Sequence, residues 1–124
     1  MQIEEIEKNL SKITEDINEE EFIYELLEVF EQPKAAITRL KKGDYNQSKK
    51  HNEVLWKKKL YFHKVEDKDP HSVIDDLTKD SIAQKHNPRF IIVTNFQLLL
   101  AVDTKTKDTL DIDINRLSKH TDFF

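Results

Sequence analysis

EVLWKKKLYFHKV, Glu53 to Val65, holds the only tryptophan of the chain, three consecutive lysines and a dense run of aromatic and β-branched residues. Val54, Trp56, Leu60, Phe62 and Val65 are spaced mostly by twos, with a phase slip at the lysines. Period-two spacing is the mark of a half-buried strand, and a slip in it predicts two short strands or one strand with a bulge. Three adjacent lysines on a strand project to alternate faces, so at most two would point the same way. On an edge strand such lysines also guard against aggregation.

Downstream, Asp67-Lys68-Asp69 closes the stretch, and Asp69 with Pro70 behind it has the form of an N-cap followed by proline at the first helical position. Val73, Ile74, Leu77 and Ile82 then form an apolar stripe that predicts one helix ending near His86-Asn87-Pro88. Three strand-like runs follow, Arg89–Asn95, Gln97–Asp103 and Thr109–Ile114. The link at Asn95-Phe96 is tight, and Asp103–Asp108 is a polar hairpin turn. Phe90–Val93 and Leu98–Val102 are apolar without alternation, as expected of central strands covered on both faces.

Upstream, Asp44–Asn52 is polar and aperiodic and predicts an exposed loop. Lys34–Lys42 is a short helix opened by Pro33 and closed by Gly43, the single glycine, in a left-handed cap, with Ile37 and Thr38 leaving a strand reading open. Ile3, Ile6, Leu10, Ile13 and Ile17 give an amphipathic helix of about 15 residues. Asn18 with Glu21 has the spacing of a capping box before Phe22, Ile23, Leu26, Leu27 and Phe30, a second helix. Glu19-Glu20-Glu21 reads as a solvated helix start suited to the dipole. A strand, a helix and another strand invite a right-handed parallel crossover, and the hairpins add antiparallel partners. The expected fold is α+β, a mixed sheet flanked by helices, with residues 1–20 as an N-terminal helical arm and 21–124 as the α/β domain.

Composition bounds the rest. Charged residues make up 35% and hydrophobic ones 37%, enough for one core in one domain. The absence of cysteine excludes disulfides and thiolate metal sites and agrees with a reducing cytoplasm. No basic-then-apolar leader and no run near the roughly 20 apolar residues of a membrane span is present, so the expectation is a soluble, cytoplasmic chain. The net charge of −4 is unevenly spread: residues 1–30 balance to −8, 31–64 to +7 and 65–124 to −3. The basic middle either faces a polyanion or complements the acidic first helices. Phe123-Phe124 at the end need something to pack on, which suggests the front part of a longer protein starting at Met1.

Few catalytic patterns survive. His51, His63, His71, His86 and His120 are scattered without the paired spacing of a zinc protease. One glycine cannot build a phosphate-cradling loop, and no G-x-S-x-G elbow exists. Asn87-Pro88-Arg89-Phe90 is a helix stop before a strand. Lys57, Lys58 and Lys59 beside Trp56 and Tyr61, together with Arg39, Lys41 and Lys42, are the candidate contacts to a nucleic-acid backbone, acting through phosphate attraction.

FIYELLEVF (Phe22–Phe30), PKAAITRLKKGD (Pro33–Asp44), EVLWKKKLYFHKV and above all PRFIIVTNFQLLLAVDTKTKDTLDIDINRL (Pro88–Leu117) together resemble the N-terminal region of the MmeI-like and YeeA-like bacterial proteins. Those are large restriction-modification enzymes of bacterial defence that join a nuclease-type domain, a helical spacer, an adenine-N6 DNA methyltransferase and a target-recognition domain. The resemblance implies a restriction-endonuclease-like fold, DNA as partner, downstream methyltransferase domains in the same chain, and S-adenosylmethionine as cofactor of that missing part. It also implies a nuclease site: an acid a few places before the tryptophan and a Glu-x-Lys about ten residues later, holding Mg²⁺ and activating water. Anchored on Trp56, those positions hold Glu53, His63 and Val65. One of three ligands survives, so no catalytic or metal residue is expected, and the domain is a scaffold or a weak DNA contact. The competing readings are an active Mg²⁺-dependent nuclease in which Asp44 or Glu66 joins Glu53, and a stand-alone adaptor.

Overall fold

The stretch around Trp56 folds as a hairpin, β1 (Glu53–Trp56) and β2 (Leu60–Lys64), in antiparallel register with Glu53 opposite His63 and Trp56 opposite Leu60. This is seen in a computed structural model that describes residues 2–48, 50 and 52–124, except the side chains of Ile82 and Ala83. His51, Met1 and the Ile82 side chain of the predicted stripe therefore lie outside the described residues. The lysines, expected above to lie on a strand, are instead the turn itself. Lys58 takes a left-handed φ of 67°, and the Lys59 N–H donates to the Trp56 carbonyl at 2.9 Å. A three-residue loop with one left-handed residue absorbs the phase slip, so neither strand needs a bulge.

The remaining elements are α1 (Ile3–Glu15), α2 (Phe22–Val29), α3 (Lys34–Lys42), α4 (Pro70–Lys79), α5 (Ser81–His86), β3 (Phe90–Thr94), β4 (Leu98–Asp103), β5 (Thr109–Asp113) and a 3₁₀ segment (Ile114–Lys119). The five strands form one sheet in the order β1-β2-β3-β4-β5. β2 and β3 are parallel, joined through α4 and α5, and all other pairs are antiparallel. The architecture is α+β with a mixed sheet, and β3, whose Val93 has no exposed surface, lies at its centre as its unbroken apolar run predicts.

The alternation of side chains across the strands sorts the core into two layers. On one face Val54, Leu60, Phe62, Ile92, Leu99 and Ala101 meet α1, α2 and the 3₁₀ segment. Leu10 of α1 and Leu117 of the 3₁₀ segment are fully buried there. On the other face Leu55, Tyr61, Val65, Ile91 and Val93 meet Val73 and Leu77 of α4. Phe123 and Phe124 find their packing partner in Phe90, at ring-centre distances of 5.9 and 5.2 Å.

Three local readings change. Asn18 caps a turn rather than α2: its Oδ1 accepts the Glu20 N–H and its carbonyl the Glu21 N–H, both at 3.1 Å, and the helix starts only at Phe22. The helix after Asp69 is two helices, because Asp80 is extended (ψ 127°) and its carbonyl accepts the Gln84 N–H to open α5. The loop before β1 is tied to it, with Asn46 Oδ1 accepting the Leu55 N–H at 2.9 Å and the Gln47 N–H donating to the Leu55 carbonyl at 2.7 Å. The left-handed cap at Gly43, φ 95°, is as predicted. Among the described residues no helix is long and apolar enough to cross a membrane.

α4 is also pinned to the far edge of the sheet. His71 Nε2 lies 2.7 Å from Asp111 Oδ2 on β5, and Nδ1 lies 3.3 Å from Asp69 Oδ1. The hydrogen bond to Asp111, then that to Asp69, raises the His71 pKa above the usual 6.5. A raised folded-state pKa means stability that is fully present below about pH 6.5 and lost as pH rises through the folded value. His71→Ala should therefore lower Tm more at pH 5.5 than at pH 8.5, a difference that thermal unfolding at the two pH values measures directly.

Candidate functional site

The hairpin register decides what the implied nuclease positions touch. Residues directly opposite on an antiparallel pair share a face, so Glu53 and His63 meet, with Tyr61 diagonal to them. Glu53 is 6% exposed. A carboxylate removed from water this far must be met by donors. Ser48 Oγ and the Tyr61 hydroxyl donate to its Oε1 at 2.9 and 3.1 Å. Its Oε2 lies 2.7 Å from His63 Nδ1 and 4.0 Å from Lys50 Nζ. Burial first, then the Glu53 charge and hydrogen bond, push the Tyr61 hydroxyl well above its ordinary pKa, so it remains a donor.

The setting of His63 favours its neutral form. Burial lowers its pKa more than the Glu53 carboxylate raises it, and Lys50 and Lys68 act in the same sense as burial. Asn52 Nδ2 lies 3.4 Å from Nε2, which suits the tautomer with its proton on Nδ1, on the Glu53 side. The Nδ1 contact is short but off the ring N–H direction, so it is a close polar contact without an aligned hydrogen bond. Val65 is buried with Leu55, Tyr61, Val73 and Leu77, and its backbone N–H donates to the Thr94 carbonyl at 3.0 Å. Asp44 and Glu66, the acids considered as recruits, are both exposed, and neither is among the polar partners of Glu53. Among the described residues no group of three or more His, Asp or Glu side chains has the arrangement of a metal site.

The sequence reading missed Ser48 and Tyr61 as partners of Glu53. Tyr61 was legible in principle: with a three-residue turn, Glu53 and Tyr61 fall on the same face of adjacent strands. Ser48 was not, since it reaches Glu53 only because its loop folds back on β1.

The basic residues divide. Lys57, Lys58 and Lys59 are exposed at the hairpin turn, and the Lys58 N–H donates to the His86 carbonyl at 2.9 Å, fixing the turn to the end of α5. Arg39 joins them through a stack: its guanidinium lies 5.9 Å from the Tyr45 ring, which stacks on Trp56 at 6.3 Å and 11°. Lys41 points to α2 instead, 2.7 Å from Glu21 and over the Tyr24 ring at 5.3 Å. Lys42 is exposed at the end of α3. Lys34 with Glu28 (3.9 Å) and Lys64 with Glu20 (3.7 Å) repeat the pattern of Lys41, so part of the basic middle complements the acidic helical segment. The hairpin turn does not.

The Glu53 cluster is testable as a structural unit. Tyr61→Phe removes one hydrogen bond to a buried charge and should cost about 1–3 kcal/mol, while Glu53→Ala strands the Ser48 and Tyr61 hydroxyls and should cost about 2–4 kcal/mol. Urea unfolding of the two variants gives both values, and a change under 0.5 kcal/mol for Glu53→Ala would contradict the role assigned to the carboxylate.

Two comparisons bear on this geometry. The family model described as "MmeI, N-terminal domain" matches residues 1–124. The protein named DNA methyltransferase A of Bacillus subtilis (strain 168) is 38% identical over 116 residues, covering 91% of this chain and 13% of the relative. The chain thus spans about one eighth of the length of the curated relative it matches. No solved structure matches. With its whole length matched, the chain belongs to the MmeI N-terminal domain family.

Proposed function

We propose that this chain is the nuclease-like N-terminal domain of an adenine-N6 DNA methyltransferase of the restriction-modification type, that it does not cut DNA, and that it serves as a scaffold with a backbone contact at the lysine turn. The observation that carries the absence of cleavage is the setting of Glu53. One of its oxygens accepts from Ser48 and Tyr61, and the other lies 2.7 Å from His63 Nδ1, an imidazole where a second carboxylate would stand. A hard cation such as Mg²⁺ takes oxygen ligands with open lone pairs and a second carboxylate. An imidazole at residue 63 and an isopropyl group at residue 65 supply neither. The residues present do not fit a magnesium site, and no hydrolytic step runs through one. S-adenosylmethionine belongs, on this reading, to a methyltransferase part outside these 124 residues, and the enzyme works on DNA in the cytoplasm.

The DNA contact rests on the exposed, unpaired turn. Cations held on a rigid hairpin attract phosphates without reading bases, and each phosphate contact steepens the salt dependence. Lys41, already paired with Glu21, contributes least.

Two measurements test the two halves. Incubated with plasmid DNA and Mg²⁺ or Mn²⁺, the chain should leave the plasmid intact; cleavage that vanishes in Glu53→Ala would restore the nuclease. Reversing Lys57, Lys58 and Lys59 to Glu should weaken duplex binding at low salt by about tenfold or more and reduce the salt slope by about 2. Unchanged anisotropy in that variant would leave the scaffold role alone.

A further inference from the structure

Beside the lysine turn lies a cavity of about 440 Å³, bounded by α2, the turn, β3 and the last residue. Its lining is unusual for this chain. Four aromatic rings contribute to it, those of Trp56, Phe30, Phe90 and Phe124. Lys58, Lys59 and Arg89 supply its cations, and Gln32 is the one uncharged polar side chain. Although the chain holds 24 Asp and Glu, none lines this cavity.

The cations are not equivalent. Arg89 is held by Asp103 in a two-pronged pair, 2.8 Å on each side, so its charge is matched. Lys58 and Lys59 have no ion pair among the described residues, and their turn is anchored by the Lys58 N–H to His86 and by the Phe90 N–H, which donates to the Lys59 carbonyl at 3.2 Å. Trp56 is set as firmly, since Tyr45 stacks on it from outside the cavity.

We propose that this cavity takes one unstacked nucleobase while Lys58 and Lys59 hold the adjoining phosphates, so that the strand contacted here is single-stranded or locally opened nucleic acid. The inference rests on the reading that the lysine turn contacts DNA, and deepens it. A cavity of this volume has room for one base and its sugar. Every base has a π-face, so aromatic walls hold it whatever the sequence, and fixed cations beside them supply the backbone term. A paired base stays in its stack and cannot enter. An apolar peptide anchor would be satisfied by the aliphatic floor alone and gives no use to two free ammonium groups at the rim.

Trp56 is the only tryptophan, so its fluorescence reports on one wall of this cavity, and the abasic strand separates base entry from contacts on its Tyr45 side. The chain is titrated at low salt with a 12-nucleotide mixed-sequence single strand, the matching duplex, an abasic strand of the same length, and adenosine monophosphate. The expected result is quenching by the single strand, binding about tenfold or more tighter than the duplex, and loss of the quench with about tenfold weaker binding for the abasic strand. Phe124→Ala should weaken the single strand and leave the duplex unchanged. No quench, or equal affinity for abasic and normal strands, overturns the base pocket; if reversal of the lysines still weakens duplex binding, the backbone contact stands without it. Quenching by the mononucleotide at concentrations no higher than the strand requires would overturn the strand in favour of a free nucleotide. Quenching by an acidic apolar peptide, with none by nucleic acid, would overturn the nucleotide class altogether.

Discussion

A carboxylate only 6% exposed imposes its needs on everything around it, and Glu53, unlike Asp103 with its two-pronged Arg89 partner, meets them without a guanidinium. Its charge is tolerable only if donors replace water at both oxygens. The loop 44–52 folds back to bring Ser48, the hairpin register brings His63 opposite, and a diagonal neighbour brings Tyr61. Shifting β1 by one residue against β2 would turn Glu53 into the other layer, among Phe22, Phe62 and Ile92, where no donor waits. The hairpin is therefore locked from two sides, by apolar alternation and by one charge.

That arrangement also separates the faces of the domain. Acidic residues of the α2 segment are answered by Lys34, Lys41 and Lys64, so part of the formal charge asymmetry along the chain cancels in space. At the hairpin tip Lys58 and Lys59 have no ion pair among the described residues. The backbone of this turn is fixed to α5 and β3 by the Lys58 N–H and the Lys59 carbonyl. Free cations on a rigid support cost little ordering when an anion arrives.

Much of the fold could be read before any coordinates. The helix at Lys34–Lys42 with its glycine stop, the Asp69-Pro70 helix start and the three closing strands all appear where the patterns put them, because each rests on local chemistry: a left-handed cap, a missing N–H, a run of β-branched residues. The misreadings are equally local in cause. Three lysines fit a strand or a turn, and only the left-handed φ of Lys58 separates the two. Asn18 fits a helix cap or a turn cap, and its side chain makes the same kind of bond in either. The break at Asp80 has no glycine or proline to announce it.

The chain's own residues determined the α+β class, the central place of β3 and β4, and the chemistry available beside Trp56, where one carboxylate, one imidazole and one isopropyl group stand. These follow from residue type and period. Tertiary structure alone decided that the carboxylate is enclosed and faces Ser48, Tyr61 and His63, that Lys41 is spent on Glu21 while Lys58 and Lys59 are not, and that four aromatic rings from the end of α2, the hairpin, β3 and the last residue line one cavity. Such facts depend on which distant segments are brought together, and contact between residues 30, 56, 90 and 124 leaves no periodic trace along the chain.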